Sequence, residues 1–400
     1  MAAIVGAGDR VKVERGRRSG RQTGGVAVID AFGARWTLDV SGLDDHLADE
    51  LLHLWDRALV DPGADGDPPP FVVRRTQEGW VEVDGRVQQT DDPDVPYLVS
   101  RSLTIASIRR RSGSCVMLHA AGLATDDGGT VALVAGSGTG KTTAGRLLGR
   151  SLGYVSDETV TVEHDLTVRA YPKPLSIIVD PAVPTSKHER SPDDLGLRRA
   201  GPTLRLSAVA VLERRDDAGE PTLEPIGLVE AMGVVLPQSS ALPSLDRPLD
   251  RLARVLATGH GPYRLSYRDI DDCVDLVSGL AHAPDDGPSP DDVTWTWFDG
   301  TGYEGEATPV PEDFGPSTKV RRNRFRDAIA SDGVVLVMRD WTPVTLPGLA
   351  ATIWLATQEP CTVADLVTAA TVQLGPHPGG QQIVLDTVRM LIADELLHVV

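Results

Sequence analysis

Cysteine is scarce: three residues in 400, Cys115, Cys273 and Cys361, with no pair at Cys-x-x-Cys spacing. That excludes a disulfide framework and a cysteine-based zinc site, and it suits a reducing compartment. Long apolar runs are missing too, since nothing approaches the ~20 residues that span a bilayer. The opening MAAIVGAG is too short for a signal-peptide core and has no basic segment before it, so a cytoplasmic protein is expected. Positive charge is in deficit, with 39 Lys+Arg against 57 Asp+Glu and a net charge of −18. Such a surface repels phosphate backbones and anionic lipid, so neither nucleic acid nor membrane is expected as a partner. A hydrophobic fraction of 41% with 24% charged residues excludes wholesale disorder. At roughly 150 residues per domain, the length predicts two to three domains.

The texture along the chain predicts five segments. Residues 1–22 read as a basic tail, with Arg10, Lys12, Arg15, Arg17, Arg18 and Arg21 among Gly and Ser. Gly6-Ala-Gly8 lacks the strand that a dinucleotide loop would need before it. Residues 23–110 read as an α+β accessory region. One helix there carries Leu43, His46, Leu47, Leu51, Leu52, Leu54 and Leu59, the loop DPGADGDPPP spans 61–70, and the strand-like runs FVVRR and WVEVDG follow. Residues 111–281 alternate strand, loop, helix and strand. Strands are predicted at Val116–His119, Val131–Val134, Thr159–Val162 and Ala208–Leu212, a helix at Thr142–Leu152, and a short strand ending near Val155. Residues 282–315 read as a linker, centred on the Pro/Gly/Asp tract 283–292, and 316–400 as a C-terminal domain. Helical patterns there fall at about 346–357, 362–374 and 380–397.

The strongest chemical signal is Ala135-Gly-Ser-Gly-Thr-Gly-Lys-Thr142. It matches the phosphate-binding loop pattern with Ala in place of the first Gly. Gly136, Gly138 and Gly140, with Ser137 and Thr139 between them, let backbone N–H groups wrap phosphate oxygens. Lys141 supplies a point charge to the β- and γ-phosphates, and the Thr142 hydroxyl can ligate Mg²⁺. Thr143 follows at the start of a helix whose positive end faces the same anion. An apolar strand before the loop and Leu147, Leu148 and Leu152 after it supply the expected context. Sixteen residues after Lys141 stand Asp157 and Glu158, at the end of a short strand. A turn there can bring both carboxylates to one site, one holding Mg²⁺ and the other accepting the proton of an attacking hydroxyl. His119 reads either as a packed core residue or as a group beside the phosphate loop.

Together, the run Leu118-His-Ala-Ala-Gly-Leu-Ala124, the loop 136–142 and Val155-Ser-Asp-Glu158 resemble the HPr kinase/phosphorylase family over about 111–280. The resemblance implies an α/β fold with a P-loop HPr-kinase-like core, ATP and Mg²⁺ as cofactors, and transfer of the γ-phosphoryl to a hydroxyl. It implies Asp157 as base, Glu158 as metal or orienting acid, and His119 as a group near the reacting phosphoryl. Two departures matter. The second acid is Glu, and Tyr171-Pro-Lys-Pro-Leu-Ser176 stands where the family has an Arg-Gly-Leu-Gly-like turn. Both are more similar to HPr-kinase-related proteins of biosynthetic clusters, which puts phosphorolysis and HPr itself in doubt. Lys173, between two prolines that fix its backbone, reads equally as a phosphate contact and as a solvated loop charge. Arg214 and Arg215 are weaker candidates for phosphate contact. Family members commonly assemble, so a homo-oligomer is compatible with the resemblance.

Residues from about 316 resemble the PqqD-like winged-helix module, which recognises precursor peptides in peptide-modifying systems. The resemblance rests on Asp332–Val337 as a strand, Leu349–Trp354 as a first helix, Thr362 to Asp365 as a capping-box start, and Val384–Ile392 as a third helix. From Asp340 to Val400 the only Lys or Arg is Arg389, against six acids, so helices there cannot neutralise a DNA backbone. Lys319, Arg321, Arg322, Arg324 and Arg326 alternate, which reads as a basic strand edge, either a dock for an acidic peptide or charges that blunt an edge. Three functions stay open. One is an ATP-dependent kinase acting on a peptide or small protein of a peptide natural-product (RiPP) pathway. The others are a small-metabolite kinase and a non-catalytic, nucleotide-gated peptide-binding adaptor.

Overall fold

A computed structural model describes residues 25–62, 67–136, 139–178, 187–282, 294–300 and 310–400. The basic tail, Gly6-Ala-Gly8, Ser137, Gly138 and the tract 283–293 lie outside the described residues.

The N-terminal region forms a five-stranded sheet in the order Val26–Ala31, Ala34–Gly42, Pro70–Gln77, Trp80–Val83, Arg86–Gln89. Helix α1 (Asp45–Leu54) packs on it through Leu47, Leu51 and Leu54, and Asp44 caps it by accepting from the Leu47 N–H at 3.0 Å. A second helix, α2 (Val95–Arg111), was not anticipated. Its buried face carries Val95, Pro96, Val99 and Leu103, but Ser100, Thr104 and Ser107 occupy the remaining buried positions.

The central region is built on a seven-stranded sheet in the order Arg198–Arg199, Gly153–Ser156, Ala120–Ala124, Gly129–Val134, Arg205–Arg214, Tyr263–Tyr267, Thr222–Pro225. Gly129–Val134, Arg205–Arg214 and Tyr263–Tyr267 run parallel, while Ala120–Ala124 is antiparallel to both of its neighbours. Side chains alternate between faces along these strands. Leu123, Val131, Leu133, Ala208 and Ala210 meet helices α3 (Lys141–Leu148) and, later in the chain, α6 (Val274–Ala281). Ala124, Ala132, Val134, Val209 and Val211 meet α4 (Leu228–Val235) and α5 (Pro248–Leu256). The helix expected over 142–152 stops at Leu148, and residues 149–152 turn the chain into Gly153–Ser156.

The C-terminal region has a four-stranded sheet in the order Thr296–Asp299, Asp327–Ser331, Val334–Arg339, Thr342–Pro347. It also contains α7 (Gly348–Ala356), α8 (Val363–Leu374) and α9 (Gly380–Ala393). The capping box on Thr362 and Asp365 is present. Three expectations need correction. Thr296–Asp299, placed in the linker, is an edge strand of this sheet. The pattern 380–397 ends as a helix at Ala393, and Leu397–Val399 is a strand. The supposed edge 319–326 is instead the central strand Lys319–Arg322 of a small sheet, with Cys361–Thr362 and Leu397–Val399 on its two sides. Arg322 is 2% exposed: it donates to the carbonyls of Trp354 (2.7 Å) and Leu355 (2.9 Å) and stacks 3.8 Å from the Trp354 ring.

The four-stranded sheet serves two cores. Ala328, Val335 and Val337 face α7–α9, while Ile329, Leu336 and Met338 join the cluster of α4 and α5. Asp327 Oδ2 accepts from the Leu249 N–H at 3.0 Å and the Asp250 N–H at 3.5 Å, in the first turn of α5. A carboxylate from the C-terminal sheet thus caps a helix of the central region. Among the described residues no helix is long and apolar enough to cross a membrane.

Candidate active site

The phosphate loop joins Gly129–Val134 to α3, as the motif requires. Gly140 has φ +98°, a left-handed conformation that glycine adopts without steric cost, and it turns the chain into the helix. Lys141 is buried, and its Nζ folds onto the loop, donating to the carbonyls of Ala135 at 2.7 Å and Gly136 at 2.9 Å. Burial holds its ammonium below the usual lysine range. Gly136, Thr139, Thr142 and Thr143 belong to the same loop and helix start. Ser137 and Gly138, the remaining predicted contacts, are outside the described residues.

The acid pair lies against this helix. Asp157 and Glu158 form a bend after Gly153–Ser156, held by Ser156 Oγ, which accepts from the Glu158 and Thr159 N–H groups at 3.2 and 3.1 Å. Gly145 makes the close approach possible. A Cβ at that position would come within 3.1 Å of the Asp157 Cβ. The expectation that a turn brings both carboxylates together is realised through Lys173. Its Nζ lies 3.3 Å from Asp157 Oδ1 and 3.3 Å from Glu158 Oε2, and donates to the Pro174 carbonyl at 2.8 Å.

Lys173 is 2% exposed, which overturns the solvated-charge alternative, and it contacts the acids rather than the phosphate loop. Burial alone would depress its ammonium, but Asp157, Glu158 and Glu189 outweigh that and hold it well above the usual lysine range. Tyr154 OH donates to Asp157 Oδ1 at 2.9 Å, so both contacts to Asp157 fall on Oδ1 and leave Oδ2 uncommitted.

His119, expected as the last residue of a strand, sits one residue beyond Val116–Leu118 and before Ala120–Ala124, where the chain passes from a small sheet to the large one. Its Nδ1 is 2.9 Å from the Glu158 carbonyl, which also accepts from the Ala120 N–H at 3.2 Å. A carbonyl only accepts, so Nδ1 carries the proton and Nε2 of the neutral ring is the free acceptor. Burial, then the charge of Lys141, hold His119 below the usual imidazole value, which favours that neutral form.

These groups open on one cleft of about 820 Å³, lined by His119, Lys141, Thr142, Asp157, Glu158 and Lys173. Its far wall was not foreseen: Tyr97, Ser100, Arg101, Thr104, Ile105 and Ile108 of α2. The N-terminal region therefore forms part of the site. Beneath it, Glu189 is buried and accepts from Ser100 at 3.3 Å and from Ser176. Arg214 and Arg215 do not line the cleft, and Arg215 pairs with Asp217 at 3.2 Å.

Among the described residues no three His, Cys, Asp or Glu side chains cluster to hold a metal. The donors present fit Mg²⁺ as a shared ligand: the Thr142 hydroxyl and the two carboxylates are hard oxygens, and nucleotide phosphates would complete the shell.

No family model matches the chain, and no curated protein does. A solved structure, the Hpr(Ser) kinase/phosphatase from Coxiella burnetii, is similar over 41% of this chain and 92% of its own, at 11% identity and a TM-score of 0.22. A likeness that weak carries no argument. The chemistry therefore rests on the residues themselves: a phosphate loop, a carboxylate pair and a neutral imidazole on one cleft.

Proposed function

We propose that the protein is an ATP-dependent phosphotransferase acting on an alcohol. The observation that carries this reading is the convergence of Lys141 and Thr142 with Asp157 and Glu158 on a single cleft. A phosphate loop alone binds nucleotide, whereas an adjacent carboxylate supplies the base that transfer needs. In the proposed step Asp157 takes the proton of the acceptor hydroxyl as its oxygen attacks the γ-phosphorus. The bond from that phosphorus to the β–γ bridging oxygen breaks, and ADP leaves. Lys141 and the loop N–H groups hold the phosphates, and Thr142 and Glu158 would hold Mg²⁺, whose charge would offset theirs. His119 Nε2 stands ready as a hydrogen-bond acceptor beside the reacting group.

The acceptor we propose first is a Ser or Thr hydroxyl of a peptide or small protein, presented by a PqqD-like C-terminal unit of a peptide-modifying (RiPP) system. One observation favours a second reading, a kinase of a small metabolite. The basic strand expected to dock a peptide is flanked on both sides, and Arg322 is buried within it. Both readings share one test. Asp157→Asn should keep Mg²⁺–ATP binding by calorimetry and lose on the order of 10²–10⁴-fold in phosphoryl transfer or slow ATP hydrolysis. Unchanged turnover in the variant would remove Asp157 as base, whereas no nucleotide turnover by the wild type would favour the adaptor function.

A further inference from the structure

The cleft holds more positive charge than nucleotide and acid pair consume. Five cations line it, Arg101, Lys141, Arg146, Lys173 and Lys187, against two carboxylates, Asp157 and Glu158. In a chain with 57 acids and 39 Lys+Arg, that is a local reversal of sign. Lys141 belongs to the phosphate loop, and Lys173 is taken up by the acid pair. Arg101, Arg146 and Lys187 are left over, and among the described residues none of them makes an ion pair with a carboxylate.

Their placement is specific. Tyr97 and Arg101 are four residues apart on α2 and share a face. The Lys187 ammonium lies 5.9 Å from the centre of the Tyr97 ring, so Lys187 meets α2 within the lining of the cleft. Arg146 stands on α3 four residues after Thr142, on the face of the proposed metal hydroxyl. Its Nε is buried without an acceptor. The nearby carboxylate Glu189 is occupied by Ser100, Ser176 and the field of Lys173. A buried donor left unpaired is costly, and cations gathered without counter-charge repel one another; a bound anion relieves both. Arginine suits planar carboxylate and tetrahedral phosphate alike.

We propose that Arg101, Arg146 and Lys187 form an anion subsite for the acceptor, so that the phosphorylated alcohol carries a second group, a carboxylate or a phosphate. The inference rests on the phosphotransferase reading. It makes α2, from the N-terminal region, an element that selects the acceptor.

The test uses the full chain saturated with Mg²⁺ and the non-hydrolysable analogue AMPPNP, titrated calorimetrically with inorganic phosphate and, separately, with malonate. Nucleotide then occupies the phosphate loop, and further anion binding reports the second site. Wild type should bind one probe saturably, and which one it binds distinguishes a phosphate-bearing from a carboxylate-bearing acceptor. Arg101→Gln with Lys187→Gln should bind that probe roughly tenfold more weakly or worse, for two lost charge-assisted contacts. Arg101 is exposed, so Arg101→Gln alone, checked by its melting curve, serves if the double variant misfolds. Equal probe affinity in variant and wild type, or no saturable binding of either probe to nucleotide-loaded wild type, overturns the subsite. Loss of AMPPNP binding in the variants would place these cations on the nucleotide and overturn it as well. Failure of wild type itself to bind Mg²⁺–AMPPNP would instead sink the phosphotransferase reading, and the acceptor subsite with it.

Discussion

Two cations are buried to the same extent, Lys173 beside the cleft and Arg322 in the C-terminal region, each 2% exposed. Their surroundings differ in kind. Lys173 faces the carboxylates Asp157 and Glu158 at 3.3 Å, with Glu189 behind them, on the wall of an open cleft. Arg322 lies against the Trp354 and Phe298 rings and donates to carbonyls at the end of α7. The first arrangement holds a compact ammonium where another cation of similar charge could take its place. The second uses the planar face and forked donors of a guanidinium, which no metal ion reproduces. An acid-paired ammonium on a cleft wall and a ring-stacked guanidinium in a core are thus equally buried charges.

That contrast can be broken by substitution. Lys173→Met leaves Asp157 and Glu158 close together without their cation. Breaking a buried pair this way should cost about 3–5 kcal/mol in the absence of divalent ions. Millimolar Mg²⁺ should restore much of the lost melting temperature, because it replaces the ammonium between the acids. A melt indifferent to Mg²⁺ would show that the two carboxylates do not form a cation site.

Arg322→Met removes a ring-stacked cation and its donors to the Trp354 and Leu355 carbonyls, of which Trp354 keeps the Thr357 hydroxyl at 2.9 Å, at a cost of about 2–3 kcal/mol. Mg²⁺ should not restore this variant, and its ATP affinity should equal that of wild type. Recovery with Mg²⁺ would erase the distinction between the two regions.

The smallest effect concerns Asp327, which joins those regions. Burial, only partly offset by the two α5 N–H groups, pushes its carboxyl up from 3.8 to about 6. A raised folded-state value means that the native protein binds this proton more tightly than the unfolded chain does. Its contribution to stability is therefore greatest at low pH, falls between about pH 4 and 6, and is lost above that range. Asp327→Asn keeps an acceptor for the α5 cap and removes the charge. It should flatten this part of the stability–pH curve and raise stability at pH 7.5 by on the order of 2 kcal/mol. Urea melts at pH 5 and 7.5 decide it, since an unchanged difference between the two pH values would show that Asp327 does not titrate there.

What could be read from the sequence was local. The phosphate loop, its helix and the acid pair occupy twenty-odd consecutive residues, and their chemistry is written in adjacent side chains. The capping box at Thr362 and Asp365 is equally short-range. Helix α2 escaped notice because Ser100, Thr104 and Ser107 interrupt its apolar stripe, and two of them, Ser100 and Thr104, line the cleft, with Ser100 reaching Glu189. Lys173 carried no local sign of its partners, since its contact with Asp157 depends on two separate strands converging. Arg322 misled for the opposite reason: alternation with other cations suggested an exposed edge, while tertiary packing placed it under Trp354.

The cleft and the helix cap also differ in when they can form during synthesis. Every residue lining the cleft lies between Tyr97 and Ser240, so all of them have been added to the chain before α5 and Asp327 are synthesised. The first turn of α5, by contrast, waits for Asp327, and the face of α4 and α5 waits for Ile329, Leu336 and Met338. A nascent chain therefore carries every residue of the cleft lining before it has covered the apolar helices behind it. During that interval those helices are the surface on which a chaperone, or a second unfinished chain, would act.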